Sequence, residues 1–102
     1  MDLAGTQLLA EAVTAYRQAL EIRARAALPQ DWAMTQNNVG IALKTQGNRT
    51  EGAAGTQLLA EAVTAYRNAL EVFTSKEFSR YHHLVNSNLA MAEALLAQRE
   101  RN

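Results

Sequence analysis

The amino-acid sequence predicts an all-α fold in which two antiparallel helix-turn-helix repeats supply four helices. The chain has 102 residues, which is enough for a single small domain. It contains 20 alanines and 13 leucines but only five glycines and one proline, and this composition favours helix over strand. The string AGTQLLAEAVTAYR stands at residues 4–17 and again at residues 54–67. The chain therefore reads as two copies of one unit, at about residues 4–53 and 54–102.

The repeated string predicts the first and third helices. Its apolar residues recur at spacings of three and four, which places them on one face of a helix. Extended through Glu21 and Glu71, the copies differ only at Gln18 and Asn68, an identity greater than a helix needs to keep its fold. We infer a recent duplication or a piece of a longer array. Thr6 and Thr56 are the predicted N-caps, and the third helix is expected at about residues 55–74.

The segments between the copies predict the second and fourth helices. Pro29 disfavours helix in the residue before it and Asp31 is a predicted N-cap, so the second helix is expected at about residues 31–46. Residues 47–52 collect glycine and other turn-forming residues and form the predicted long connection. Apolar residues recur at helical spacing at about residues 79–101, which predicts the fourth helix.

Charge and composition argue against several classes of function. Ten basic and ten acidic residues cancel, and no basic block favours binding to nucleic acid or to an anionic membrane. Cysteine is absent, so disulfides and thiolate chemistry are absent too. No apolar run is long enough to span a bilayer, and the first residues do not resemble an export signal. We therefore expect a cytoplasmic protein.

The residue pattern contains no arrangement typical of an enzyme. His82 and His83 point about 100° apart on a helix and do not readily chelate one metal ion. No nucleophile stands beside a general base, and no phosphate-binding loop occurs. Trp32 begins a helix, where a core position is a better interpretation than ligand stacking. The sequence thus predicts a non-enzyme without cofactor or metal.

The order of residue types resembles the tetratricopeptide repeat family. Residues 37–43 (Asn-Asn-Val-Gly-Ile-Ala-Leu), followed by Gln46 and Gly47, are similar to the first helix of that repeat, where glycine lets the neighbouring helix approach. The pattern of its second helix is matched by Ala62, Val63, Tyr66, Ala69 and Leu70, and in the first copy by Ala12, Tyr16, Ala19 and Leu20. The unit has 50 residues instead of about 34, and it begins with the second type of helix. Ala90 and Glu93 depart from the pattern.

The resemblance implies an α-solenoid fragment that acts as a scaffold for a protein or peptide held in a concave groove. Matched positions place these residues in the groove: Met34, Asn37, Asn38, Ile41, Lys44, Thr45, Leu84, Ser87, Asn88 and Met91. Asn38 and Asn88 either pair with the polar groups of an extended peptide or bond within the bundle. Only Lys44 is basic among these positions, so recognition of a terminal carboxylate is not expected.

The first helix carries more apolar residues than a stack of two units covers. Its sequence is that of the internal third helix, so it carries a surface suited to cover on both sides. We therefore expect self-association, as a dimer, by end-to-end stacking or by exchange of a hairpin. The predicted self-association face comprises Leu8, Leu9, Val13, Tyr16 and Leu20.

Other interpretations of the chain stay open. Adjoining repeats of a longer parent protein would cover the same helix, and the chain would then be a fragment or an engineered segment of an array without independent activity. A small helical bundle with a ligand-binding or enzymatic role is a further alternative. It requires a polar cluster inside an apolar pocket, for which the sequence offers no candidate.

Overall fold

A computed structural model describes residues 3–101, and it describes side chains for residues 11, 12 and 14–101. The element order is α1 (Leu3–Ala27), α2 (Pro29–Arg49), α3 (Gly52–Leu70) and α4 (Ser79–Arg101). Residues 3–101 contain no β-strand. The prediction of an all-α chain with four helices is confirmed, and α4 has the expected bounds. None of the described helices is long and apolar enough to cross a membrane.

The second helix differs from its prediction at both ends. It begins at Pro29 rather than Asp31, because a proline in the first turn needs no hydrogen-bonded N–H and its ring favours the helical φ. At the other end α2 continues through Gly47 to Arg49. The predicted long connection is therefore only Thr50 and Glu51.

The threonines predicted as N-caps both lie inside helices. α3 begins at Gly52, and the Oγ1 of Thr56 donates to the carbonyl oxygen of Gly52 at 3.3 Å. Thr6 likewise follows the start of α1. The chain turns sharply at Gly52, where α3 begins. Its φ of +74° is one that glycine adopts without strain.

α3 is the central helix, with α2 against one side and α4 against another. The core consists mainly of apolar side chains from these three helices, and Trp32 is buried in it as expected. Its buried members are Trp32, Ala33, Ala62, Val63, Tyr66, Ala69, Phe73, Val85, Leu89 and Ala92. Among the helices, α1 contacts only α2 closely.

Two glycines of α2, Gly40 and Gly47, leave space in which side chains of α3 pack, and we call these positions the glycine notches. A Cβ atom at Gly40 would lie 2.6 Å from the Cε1 atom of Tyr66, and one at Gly47 would lie 3.1 Å from the Cβ of Leu58 and the Cγ of Leu59. The glycines are seven residues apart, so they lie two helical turns apart on one face. These glycine notches let the backbone of α2 approach the side chains of α3.

The repeated string occupies two different environments. Tyr66 in α3 is 0% exposed, whereas Tyr16 in α1 is 74% exposed. Ala62 and Ala69 are buried, and their counterparts Ala12 and Ala19 are exposed. The neighbouring helices, rather than the local sequence, therefore decide the burial of this string.

The two units also differ at the elbow between their helices. In the second unit, the Phe73 ring stacks on Tyr81 at 4.9 Å and meets Phe78 edge-on at 5.6 Å. The equivalent positions of the first unit hold Arg23, Leu28 and Asp31. An open cavity of about 430 Å³ lies between α1 and α2 at this elbow.

Polar contacts join α1 to its neighbours instead. The Arg25 guanidinium lies 4.6 Å from the centre of the Trp32 ring and pairs with Glu71, while Gln36 donates to Glu21 at 2.9 Å. The ion pair and the amide contact are exposed, where such interactions contribute little. α1 is thus less firmly held than α3.

Replacing each of the two equivalent tyrosines by alanine is expected to give very different losses of stability. Tyr66→Ala removes a buried ring and should lower the free energy of unfolding by about 3–5 kcal/mol. Tyr16→Ala changes the same residue in the same local sequence and should alter it by no more than about 0.5 kcal/mol. Urea denaturation followed by circular dichroism measures both. Equal losses would contradict the exposed position of α1.

Tyr66→Phe is expected to leave stability unchanged or higher at neutral pH. The buried hydroxyl finds no hydrogen-bond partner within the part of the chain that the structure describes, so its removal costs nothing in bonding. Burial also raises the pKa of Tyr66 above its usual 10.0. The folded state holds this proton more tightly than the unfolded state does. The protonated Tyr66 therefore makes its full contribution to the free energy of unfolding below the unfolded pKa, and this contribution is lost as pH rises through the folded pKa.

The parent protein should therefore lose more stability in alkaline solution than Tyr66→Phe does. Denaturation curves between about pH 8 and about pH 11 give the comparison. Parallel losses in the two proteins would show that the Tyr66 proton makes no contribution.

Candidate functional site

An open groove of about 560 Å³ lies between α2 and α4, which both pack against α3. Both helices contribute four residues to it. The lining residues are Lys44, Thr45, Asn48 and Arg49 from α2, and Met91, Ala94, Leu95 and Gln98 from α4. The α2–α4 groove thus combines apolar side chains with amides, one hydroxyl and two cations, and its lining contains no carboxylate.

The sequence placed three of these residues in a groove, namely Lys44, Thr45 and Met91. Asn38, Ile41 and Ser87 are exposed on the same two helices but do not line it. Met34 is half-buried against the core, and Leu84 is exposed.

Asn37 and Asn88 join α2 and α4 directly. The Nδ2 of Asn88 donates to the Oδ1 of Asn37 at 3.1 Å, and Asn37 is only 2% exposed. A buried amide needs such a partner, because an unpaired one costs about 1–3 kcal/mol. The sequence offered two interpretations of Asn38 and Asn88. For Asn88, bonding within the bundle is the one observed, whereas Asn38 is exposed.

Five lining residues escaped the sequence-based prediction: Asn48, Arg49, Ala94, Leu95 and Gln98. Asn48 and Arg49 were assigned to a connection because Gly47 was interpreted as a helix stop. In a continuous helix they follow Lys44 and Thr45 by four residues, which places them on the same face. The signal was therefore helical spacing, and it is visible only once Gly47 is taken as a notch.

Arg99 joins α4 to the turn between α2 and α3 through three hydrogen bonds, which we call the Arg99 clamp. One guanidinium nitrogen, Nη2, donates to the carbonyl oxygens of Gly47 and Thr50, both at 2.7 Å. The other, Nη1, donates to that of Gly52 at 3.3 Å. Carbonyl groups at the end of a helix lack partners within it, so the cation caps α2. Its neighbour in sequence, Gln98, lines the α2–α4 groove.

The predicted self-association face is only partly described. Tyr16 and Leu20 are exposed on α1, and Ile22, on another side of the helix, is exposed as well. Leu8, Leu9 and Val13 lie outside the residues whose side chains the structure describes.

Titratable groups elsewhere do not form a reactive cluster in the described part. His82 has its Nδ1 atom 3.0 Å from the carbonyl oxygen of Phe73, which anchors it to the elbow of the second unit. No three His, Cys, Asp or Glu side chains of the described residues group as ligands for a metal ion.

Comparisons with known proteins give no match. No family model matches the chain, and searches of the curated proteins and of the solved structures find nothing similar.

Arg99→Met is expected to destabilise the protein, whereas Arg101→Met is not. The first variant keeps an unbranched apolar stem but removes three charge-assisted hydrogen bonds, whose partial exposure reduces the loss to about 1–2 kcal/mol. For a domain of this size, each 1 kcal/mol lowers the melting temperature by about 4–8 °C. Arg101 is exposed and serves as the matched control. Indistinguishable melting temperatures would contradict the clamp.

Proposed function

We propose that the chain is a non-catalytic helical-repeat module of the tetratricopeptide type that binds an extended segment of a protein partner in the α2–α4 groove. The observation that carries the proposal is the lining of this groove, to which α2 and α4, helices at equivalent positions of the 50-residue sequence repeat, contribute one wall each. The repeated string, the 50-residue period and the glycine notches support the assignment to stacked helical units.

The groove chemistry favours an acidic segment with an apolar side chain. Lys44 and Arg49 supply two positive charges on one wall, while Met91 and Leu95 supply an apolar surface on the other. The amides of Asn48 and Gln98 each offer a donor and an acceptor, which suits the backbone of an extended chain. Complementary charge contributes specificity and association rate, and the volume is within the usual range of ligand sites.

The same lining favours binding over catalysis. Catalysis of proton transfer requires a positioned acid or base such as histidine or a carboxylate. The groove residues are cationic, amide, hydroxyl or apolar. A free hydroxyl with no base beside it, as at Thr45, is a weak nucleophile. These features support a scaffold rather than an enzyme.

Self-association through α1 stays a prediction, and so does membership of a longer array. α4 carries His83, Ala90 and Glu93 where α2 has Ala33, Gly40 and Leu43. A polar outer helix of this kind is typical of the terminal unit of a stack. We therefore expect end-to-end stacking against α4 to be disfavoured.

Selection of random peptides on the full chain by display is the direct test of groove binding. We expect enrichment of sequences that combine acidic and aliphatic residues. Binding of a selected peptide, measured by fluorescence anisotropy, should weaken about tenfold or more when Lys44→Glu and Arg49→Glu are combined. It should also weaken at high salt, since exposed charges are screened.

Lys76→Glu combined with Arg80→Glu is the control, because both residues are exposed and lie outside the groove lining. This pair changes the net charge by the same amount as the combined groove variant. Enrichment of basic peptides, or equal weakening by the control, would refute the proposed site.

A further inference from the structure

We propose that the cavity at the first elbow, between α1 and α2, binds a small molecule that combines an aromatic ring with a protonated amine. Its volume of about 430 Å³ is within the usual range of small-molecule sites. The cavity and the α2–α4 groove have no lining residue in common, so the proposal is independent of peptide binding in the groove.

The first elbow lacks the inward-turned aromatic residue that fills the second elbow. Phe73 follows the end of α3 and is buried in the core, where its ring contacts Phe78 and Tyr81. α1 instead stays helical to Ala27. The connection to α2 is Leu28 alone, and this residue is 58% exposed. No residue of the first connection therefore turns inward as Phe73 does.

The position of the cavity corresponds to the space that the Phe73 ring fills in the second unit. The two residues that the ring contacts, Phe78 and Tyr81, align with Leu28 and Asp31 of the first unit. Leu28 and Asp31 both line the cavity. An aromatic ring carried by a ligand thus takes the place of the ring that the chain itself supplies at the second elbow.

Apolar side chains form most of the cavity wall. α1 contributes Leu20 and Ala24, and α2 contributes Trp32, with Leu28 between the two helices. Leu20 is 63% exposed, so a ring that packs against it removes apolar surface from water. Burial of apolar surface is the main driving force for binding a ring of this kind.

Charged groups in the cavity lining favour a cationic ligand. The lining contains two carboxylates, those of Glu21 and Asp31, and one guanidinium, that of Arg17, so its net charge is negative. Glu21 accepts a hydrogen bond from Gln36 at 2.9 Å. Among the described residues, Asp31 has neither an ion pair nor a side-chain hydrogen bond, which leaves its carboxylate available to a ligand.

The positions of Arg17 and Asp31 separate the cation of the lining from the proposed amine site. Asp31 lies in the first turn of α2, at the elbow. Arg17 precedes Ala27, the last residue of α1, by ten residues, which corresponds to about 15 Å along the helix axis. An amine on a short chain therefore pairs with Asp31 while its ring occupies the apolar part of the cavity.

Phenethylamine is the probe for this site, because its phenyl ring matches that of Phe73 and its amine is protonated at neutral pH. Trp32 is the only tryptophan in the chain, so the isotope-labelled protein gives a single indole cross-peak in a proton–nitrogen correlation spectrum. We expect millimolar phenethylamine to shift this cross-peak saturably. Hydrocinnamate has the same ring and chain length but ends in a carboxylate, and it should bind about tenfold more weakly or less.

Ala24→Phe and Ala26→Phe are a matched pair of variants on α1. Both alanines are exposed, but only Ala24 lines the cavity. A ring added at position 24 occupies the cavity and should weaken binding of phenethylamine about tenfold or more. The same ring at position 26 should leave binding unchanged. Circular dichroism checks that both variants keep the helix content of the parent protein.

Glu21→Gln combined with Asp31→Asn tests the contribution of charge. Glutamine keeps the oxygen that accepts from Gln36, so the local hydrogen bond is retained. Binding of phenethylamine should weaken about fivefold, because exposed charges contribute modestly, and hydrocinnamate should bind more tightly than to the parent protein. Glu61→Gln combined with Glu100→Gln is the control, since both residues are exposed and lie outside the cavity lining.

Three results would overturn the proposal. One is the absence of a saturable shift of the Trp32 cross-peak. Another is binding of hydrocinnamate as tight as that of phenethylamine, which would exclude selection of a cation. The third is a dimer of the protein, detected by sedimentation, that dissociates in Ala24→Phe but not in Ala26→Phe, because a second copy would then occupy the cavity.

Discussion

The close approach of α2 and α3 at Gly40 is the constraint on which the rest of the structure depends. The Tyr66 ring occupies the space of the missing Cβ atom, so α3 lies deep between α2 and α4 and brings its alanines into the core. The packing of α2 and α4 against α3, together with the direct hydrogen bond from Asn88 to Asn37, then sets the arrangement of α2 and α4 and the groove between them. Gly47 repeats the arrangement two turns later, which keeps the helices in contact along their length. Packing of this kind leaves little tolerance for added volume.

The two copies of the repeated string allow the effect of helix propensity to be distinguished from the effect of neighbouring helices on burial. Its two copies have the same helix propensity and the same apolar stripe, and both are helical. Only the copy between two helices buries its tyrosine and alanines. Most of the stability of a helix in a protein comes from packing of its apolar face rather than from propensity. In this chain the difference follows from the number of neighbours alone.

Local patterns were sufficient for the number of helices, the bounds of α4 and the burial of Trp32. They failed where one residue type has two roles. Glycine ends helices in many proteins, but Gly47 is buried within α2. Because Gly47 was interpreted as a helix stop, Arg49 was not recognised as a groove residue. Asn37 posed a similar difficulty, since an asparagine within a helix gives no local sign of whether it faces solvent or a partner such as Asn88. The exposure of α1 depends on which helices lie beside it, information that its own residues do not contain.

The Arg99 clamp has a consequence for the order in which the structure assembles during synthesis. It joins Arg99 to the carbonyl of Gly47, 52 residues earlier, whereas α2 and α3 are linked by two residues and pair locally. Contacts distant in sequence form late because the intervening chain must first be ordered. The α2–α3 hairpin is complete as soon as α3 has left the ribosome, but the α2–α4 groove waits for residue 99. A nascent chain thus exposes the α4-facing side of α3 for the time needed to make the roughly thirty residues from the end of α3 to Arg99, an interval in which it is open to chaperones.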